Sequence, residues 1–213
     1  MLTDLWPLFG LTVTTERLQL RLPREQELAA LAELAGAGVH HPHERPFLTP
    51  WTDGTPADRA RAVLQGHWHA LASWRADAWG LRLGVFHDDQ PLGLVNLGAR
   101  DFAVVREVTT WSWLGLAYQG KGFGTEARAG LLTLAFDHLG ATAARSEVFR
   151  DNHASQAVSR KLGYERDGIS VDARQGEALV SDRLRLTAAG WRSRPRPAAA
   201  VTGLDACRSW FIP

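Results

Sequence analysis

The sequence predicts a mixed α/β (α+β) domain, with a mostly antiparallel central sheet of about seven strands flanked by about four helices. Three stretches carry that prediction. Residues 79–114 read as three consecutive strands. A glycine-rich loop, Gln119-Gly120-Lys121-Gly122-Phe123-Gly124-Thr125-Glu126-Ala127, follows them and runs straight into a helix. Residues 144–186 then read as strand, helix and closing hairpin.

Taken in order, residues 1–15 read as a loose lead-in. Glu16 to Leu22 alternates apolar and polar residues, as a half-buried strand does, and Pro23 ends it. Arg24 to Ala37 is rich in leucine and alanine, hence helical, with Gly36 and Gly38 to stop it. His40-His41-Pro42-His43 invites a metal assignment. Such a site needs a third or fourth ligand at supporting spacing, and His67 and His69 diverge on a helix. The stretch therefore reads as a loop that is solvated or lines an acceptor site. Residues 46–56 hold Pro46, Pro50 and Pro56 and cannot be regular; Ala57 to Ser73 is a second helix.

Leu81, Leu83 and Val85 alternate with other residues in the first arm of a hairpin over Trp79–Arg100, which turns at His87–Pro91. Val104 to Leu114, β-branched and aromatic, is a third strand. Phe123 to Leu139 is helical, with Ala127, Leu131, Leu132, Ala135, Phe136 and Leu139 in one apolar stripe. Ala144 to Phe149 is a strand. Asp151-Asn152 starts a helix with Ala154, Ala157, Val158 and Leu162 inward. Glu165–Arg174 and Ala178–Leu186 form the hairpin, and Thr187–Trp191 one helical turn. Residues 1–191 thus make one domain. Residues 192–213 make an arm: a linker to 200, then Val201–Pro213, whose Trp210, Phe211 and Ile212 should pack on the domain or on a second subunit.

Bulk properties narrow the function. A length of 213 residues allows one substantial core with at most an appendage. A formal net charge of +1 gives no electrostatic case for nucleic acid or a membrane surface as partner. The single cysteine, Cys207, excludes an internal disulfide and points to a reducing compartment. The N-terminus shows no basic segment followed by an apolar run, and no stretch approaches the ~20 apolar residues of a membrane span. A cytoplasmic protein is the expectation. The nine tryptophans suit either buried aromatic packing or an aromatic-lined acceptor pocket.

The glycine loop is where chemistry is expected. Glycine reaches backbone angles that other residues avoid and lets a ligand approach the main chain. Successive amides there, with the free N–H groups of the next helix, form an anion site suited to phosphate. A P-loop is ruled out, because Lys121 precedes the second glycine instead of following it. Gly122 to Ala127 fits the dinucleotide pattern Gly-x-Gly-x-x-Ala, but an antiparallel meander is the wrong context for that unit. Gln119 to Gly124 also fits Gln/Arg-x-x-Gly-x-Gly/Ala.

That last pattern resembles the coenzyme A loop of the GNAT superfamily of N-acetyltransferases. Residues 152–164, Asn-His-Ala-Ser-Gln-Ala-Val-Ser-Arg-Lys-Leu-Gly-Tyr, resemble a later helix of the same superfamily at the expected distance. Thr15-Glu16-Arg17-Leu18 and Arg183-Leu184-Arg185-Leu186-Thr187 are similar to its RimJ/RimL-type branch, which acetylates ribosomal-protein N-termini. The resemblance covers about residues 14–191. It implies the GNAT fold and an acyl-CoA-dependent N-acyltransferase, with acetyl-CoA as cosubstrate, succinyl-CoA as the alternative donor, and no metal. The acceptor would be a primary amine, on a peptide or a small molecule. Relatives are often dimers, so a homodimer is compatible.

The resemblance also implies residue roles. The amides of Gly120, Lys121, Gly122, Phe123, Gly124 and Thr125, with Gln119, would hold the pyrophosphate. Lys121, Arg128, Arg160 and Lys161 are candidates for the 3′-phosphate. The pantetheine would pair with Trp111 to Leu114, and the amide near Trp113 or Leu114 would meet the thioester oxygen. Asn152 would position pantetheine or its own helix, and Ser155 would reprotonate the departing thiolate. Glu107, on the strand face of Thr109, is the candidate base. One departure stands out: the branch carries a glutamate where this chain has Thr109. That departure keeps open a coenzyme A–binding regulatory module without turnover.

Overall fold

The structure, a computed structural model, describes residues 1–212. In chain order the elements are α1 (Leu2–Leu5), β1 (Thr12–Thr14), β2 (Gln19–Arg21), α2 (Glu25–Ala37), α3 (Pro56–Ala72), β3 (Ala78–His87) and β4 (Gln90–Arg100). Then come α4 (Phe102–Val105), β5 (Glu107–Leu114), α5 (Phe123–Thr133), β6 (Ala143–Phe149) and α6 (His153–Leu162). The chain closes with β7 (Glu165–Arg174), β8 (Glu177–Thr187), α7 (Ala188–Arg192), β9 (Ala200–Thr202) and α8 (Leu204–Phe211). The strands form one sheet in the order β7-β8-β6-β5-β4-β3-β2-β1-β9. Every neighbouring pair is antiparallel except β5 with β6. The mixed, mostly antiparallel sheet is as expected, with nine strands instead of about seven.

Local chemistry accounts for most of these elements. In α2 the buried residues Leu28, Leu31, Ala32 and Ala35 fall at helical spacing, and the helix lies over β4. Thr55 caps α3: its Oγ1 accepts the Asp58 N–H at 3.2 Å, the Asp58 carboxylate accepts the Thr55 N–H at 3.1 Å, and Pro56 takes the first helical position. The β3–β4 hairpin turns through Asp88 and Asp89, with φ of 48° and 61°, the left-handed pair a tight hairpin requires.

Residues 1–15 are not a loose lead-in. Leu8, Leu11 and Val13 are fully buried, and β1 pairs with β2 on one side and β9 on the other. The strand expected over 16–22 is therefore shorter, with a turn at Thr15–Leu18 held by Thr15 N–H donating to Leu18 O at 2.8 Å. Val104 is not in a strand either. Asp101 and Arg106 have φ of 48° and 53°, which folds residues 102–105 into a helical turn and leaves Val104 85% exposed. In α6, Ala154 faces solvent while Ser159 is buried, so the inward face is more polar than the apolar spacing suggested.

The arm lies on the domain through residue 212; Pro213 is outside the described residues. Cys207 and Phe211 of α8 are fully buried, and burial pushes the Cys207 thiol up to about 11. The Phe211 ring meets Trp74 at 5.3 Å and Trp79 at 5.0 Å, and Trp6 meets Trp210 at 4.7 Å. Four of the tryptophans thus pack where the two ends of the chain meet. Among the described residues no helix is long and apolar enough to cross a membrane. Phe211→Ala should cost about 3–5 kcal/mol of stability in urea unfolding, the cost of emptying a fully buried aromatic site, whereas Val104→Ala should change it by less than ~0.5 kcal/mol.

Candidate functional site: a parted strand pair below a glycine turn

β5 pairs with β4 as far as Leu114, but with β6 only at Glu107↔Ala143, Val108↔Ala144 and Thr109↔Arg145. Beyond Thr109 the two parallel strands separate and leave a wedge between residues 110–114 and 146–149. Its closed end is marked by Thr110 Oγ1 against the Tyr164 hydroxyl at 3.1 Å. Its open end faces the glycine turn.

The turn depends on two left-handed glycines, Gly120 at φ 73° and Gly122 at φ 86°, which side chains would strain. The first helical hydrogen bond of α5 runs from Glu126 N–H to Gly122 O at 3.1 Å. The amides of Phe123, Gly124 and Thr125 therefore precede the helical ladder and stay available to an anion. Gln119 braces the turn from behind: its Nε2 donates to Val39 O at 2.7 Å and Leu114 O at 2.9 Å. Phe123, Trp113 and Leu114 have buried side chains, so what they can offer a ligand is main chain.

A clamp that the sequence did not reveal holds this turn. The buried Glu126 carboxylate accepts Thr15 Oγ1 at 2.6 Å, Arg17 N–H at 2.9 Å and Arg17 Nε at 2.7 Å, and pairs with Arg17 Nη2 at 2.6 Å. Burial alone would raise this carboxyl. The hydrogen bonds from Thr15 and Arg17, with the Arg17 charge, outweigh that and hold it below the usual range. Arg17 Nη1 also donates to Lys121 O at 3.3 Å, and its guanidinium lies 4.6 Å over the Phe123 ring. The available signal was Glu126 itself. An acidic side chain in the first turn of a helix expected to receive an anion conflicts with that role unless a cation neutralises it.

On the other flank of the wedge, Asn152 caps α6, accepting the Ser155 N–H on Oδ1 at 3.0 Å. Ser155 is half-buried at the head of that helix, while Arg160 and Lys161 are exposed near its far end. Arg128, a candidate for the 3′-phosphate, is instead 4% exposed and inside the wedge, away from the surface where that phosphate would lie. Among the 3′-phosphate candidates, Lys121, Arg160 and Lys161 thus remain at the surface.

The opposite face of the sheet carries a cavity of about 580 Å³ between α3, β3, β4 and β5. Glu107, Thr109 and Trp111 line it from alternate positions of β5, with Arg82, Asn96 and Arg145 among the other walls. Of the two β5 tryptophans, Trp111 borders the cavity, with Arg82 at 5.1 Å from its ring, whereas Trp113 is core, against Trp51 at 5.9 Å. Glu107 faces the cavity but is engaged by Arg145 at 3.4 Å and Arg185 at 3.0 Å. The histidine stretch lies apart from it: His40 bonds Thr52 Oγ1 at 2.9 Å, and His41 stacks on His43. Among the described residues no cluster of three or more His, Cys, Asp or Glu is placed to hold a metal ion.

A wedge between parallel strands, a glycine turn at its mouth and a cavity across the sheet leave room for two reactants that meet across the sheet, as a group-transfer enzyme requires. The chain belongs to the acetyltransferase (GNAT) domain family, whose family model matches residues 17–165. Mycobacterium smegmatis RimJ, solved with CoA-disulfide, superposes with a TM-score of 0.69 at 18% identity over 93% of each chain. RimL, the ribosomal L7/L12 α-N-protein acetyltransferase, solved with coenzyme A, gives a TM-score of 0.61 at 15% identity, covering 81% of this chain and 95% of RimL. A Vibrio cholerae protein provisionally assigned as a ribosomal-protein-serine acetyltransferase gives 0.62 at 22% identity, covering 83% and 97%. At these identities the structural likenesses carry the fold.

Burial pushes His67 down to about 4, helped by the nearby Arg82 charge. Below its ordinary value of about 6.5 the unfolded chain takes up a proton that the folded chain refuses, so stability falls as pH drops from there to 4. The full loss is about 3 kcal/mol, and urea unfolding of His67→Phe across that range should lack this slope.

Proposed function

We propose that the protein transfers an acetyl group from acetyl-CoA to a primary amine, on a peptide N-terminus or a small molecule, by direct attack in a ternary complex. The observation that carries this is the parting of β5 from β6 after Thr109, with the amide-lined turn at the open end. In this reading the diphosphate sits on the amides of Gly120 to Thr125. The helix dipole contributes about 0.3–1 kcal/mol, and hydrogen bonds to a charged oxygen about 1.5–3 kcal/mol each. The side chain of Gln119 acts as a brace and not as a ligand.

The pantetheine amides take the main-chain positions that β6 leaves empty along residues 111–114. The N–H near Trp113 or Leu114 then points to the thioester oxygen, where negative charge develops during attack. Asn152 fixes the head of α6 so that Ser155 can return a proton to the departing sulfur. The amine approaches from the 580 Å³ cavity, whose volume is in the range of small-ligand sites. It must lose its proton to attack. Glu107, on the cavity wall but about 20 Å along β5 from Trp113, takes that proton through a chain of waters.

Calorimetry with acetyl-CoA, followed by thiol release against a panel of peptides and small amines with product masses, tests this reading. Binding plus a mass gain of one acetyl group supports it. Binding without turnover on any amine would make the chain the non-catalytic module that Thr109 keeps open. Ser155→Ala should lower kcat while leaving acetyl-CoA affinity in place. Glu107→Gln should lower kcat/KM by about 10²-fold or more, the lower end of general-base contributions.

A further inference from the structure

Arg128 stands out among the buried charges. Arg174 is as deeply buried, but both Asp53 carboxylate oxygens lie 2.9 Å from its Nη2. Among the described residues Arg128 has no carboxylate partner. Its Nη2 donates to Ser112 Oγ at 3.0 Å and its Nη1 to Ser159 Oγ at 3.4 Å, while Nε finds no acceptor. Burial pushes the guanidinium below its ordinary value, yet arginine stays charged in proteins. Two neutral hydroxyls are poor compensation for a desolvated cation, and a better partner is an anion brought by a ligand.

Its depth in the wedge says which anion. α5 starts at the mouth, and Arg128 lies four residues beyond Gly124, about 6 Å further in. Along α6, Ser159 lies one turn below Ser155, again about 6 Å. Thr110 and Tyr164 close the wedge beyond them. Arg128 therefore lies below the diphosphate turn and one helical turn deeper than Ser155. On the reading that sets the thioester sulfur beside Ser155, the acyl group is what extends toward Arg128. An acetyl methyl stops short. A four-carbon dicarboxylic acyl chain carries its carboxylate carbon about 5 Å from the sulfur, four bonds of about 1.5 Å away.

We propose that Arg128 receives a carboxylate on the acyl group of the donor, so that the site takes dicarboxylic acyl-CoA thioesters, succinyl-CoA as the representative, in addition to acetyl-CoA. This rests on the coenzyme A reading above. Ser112 and Ser159 hold the guanidinium in place until the carboxylate forms its charge-assisted hydrogen bonds. The amine attacks from the cavity on the far face of the sheet, so the acyl tail and the acceptor do not compete for space.

Binding without acceptor tests it, by calorimetry with coenzyme A and with acetyl and succinyl analogues in which carbon replaces the thioester sulfur. The succinyl analogue should bind at least about tenfold tighter than the acetyl analogue. Arg128→Met should close that gap by weakening the succinyl analogue, and Arg128→Lys should keep part of it. Wild-type protein that binds coenzyme A but does not favour the succinyl analogue overturns the inference alone, without recourse to any variant. So does an Arg128→Met protein that weakens all three ligands equally, since Arg128 would then serve a part they share. Protein that binds none of the three overturns the coenzyme A reading as well.

Discussion

The structure turns on one interrupted ladder. β5 and β6 pair over three residues and then part, while β5 stays paired to β4 from Thr109 to Leu114 and β6 to β8 along its length. A parallel pair inside a sheet normally continues, because unpaired main-chain groups away from water are costly. Opening it is tolerable where something else can bond the exposed edge. Here polar side chains line the gap, Thr110, Ser146, Ser159 and Arg128, all buried. A peptide-like ligand laid along the edge would complete what the protein leaves undone.

The rest of the architecture keeps that gap fixed. α5 and α6 flank it, and the second core under α2 and α3 holds Trp113 and thereby the end of β5. Gln119 ties the turn to the carbonyls of Val39 and Leu114, so both cores register the turn against the strand end. Arg17 and Glu126, 109 residues apart in sequence, close the arrangement from the β1–β2 side. The glycine turn is thus main chain clamped by neutralised charge, with the exposed cation Lys121 at its rim.

Legibility in the sequence followed the range of the interactions. Helices α2, α3, α5 and α6 could be read because their apolar spacing and caps are local, and the β3–β4 and β7–β8 hairpins because alternation and turn residues are local. The glycine turn could be read because its chemistry lies in consecutive residues. What failed was set from far away. β1 is three residues long and is a strand only because β2 and β9 supply its partners. Val104 and Val105 have strand propensity, but the left-handed Asp101 and Arg106 turn the chain out. The Arg17–Glu126 clamp and the burial of Arg128 depend on tertiary contacts that a linear pattern does not carry.

The pairing of Thr12 with Thr202 and Thr14 with Ala200 joins the two ends of the described chain, which the ribosome makes at different times. Synthesis runs from the N-terminus, so the outer flank of β1 and the apolar hole that Phe211 fills stay uncovered until residues 200–211 have been made. A polypeptide without residues 200–202 leaves that flank of β1 unpaired, and an unpaired strand flank invites pairing with other chains. Covering this flank of β1 and filling the hole beneath it thus wait for residues 200–211.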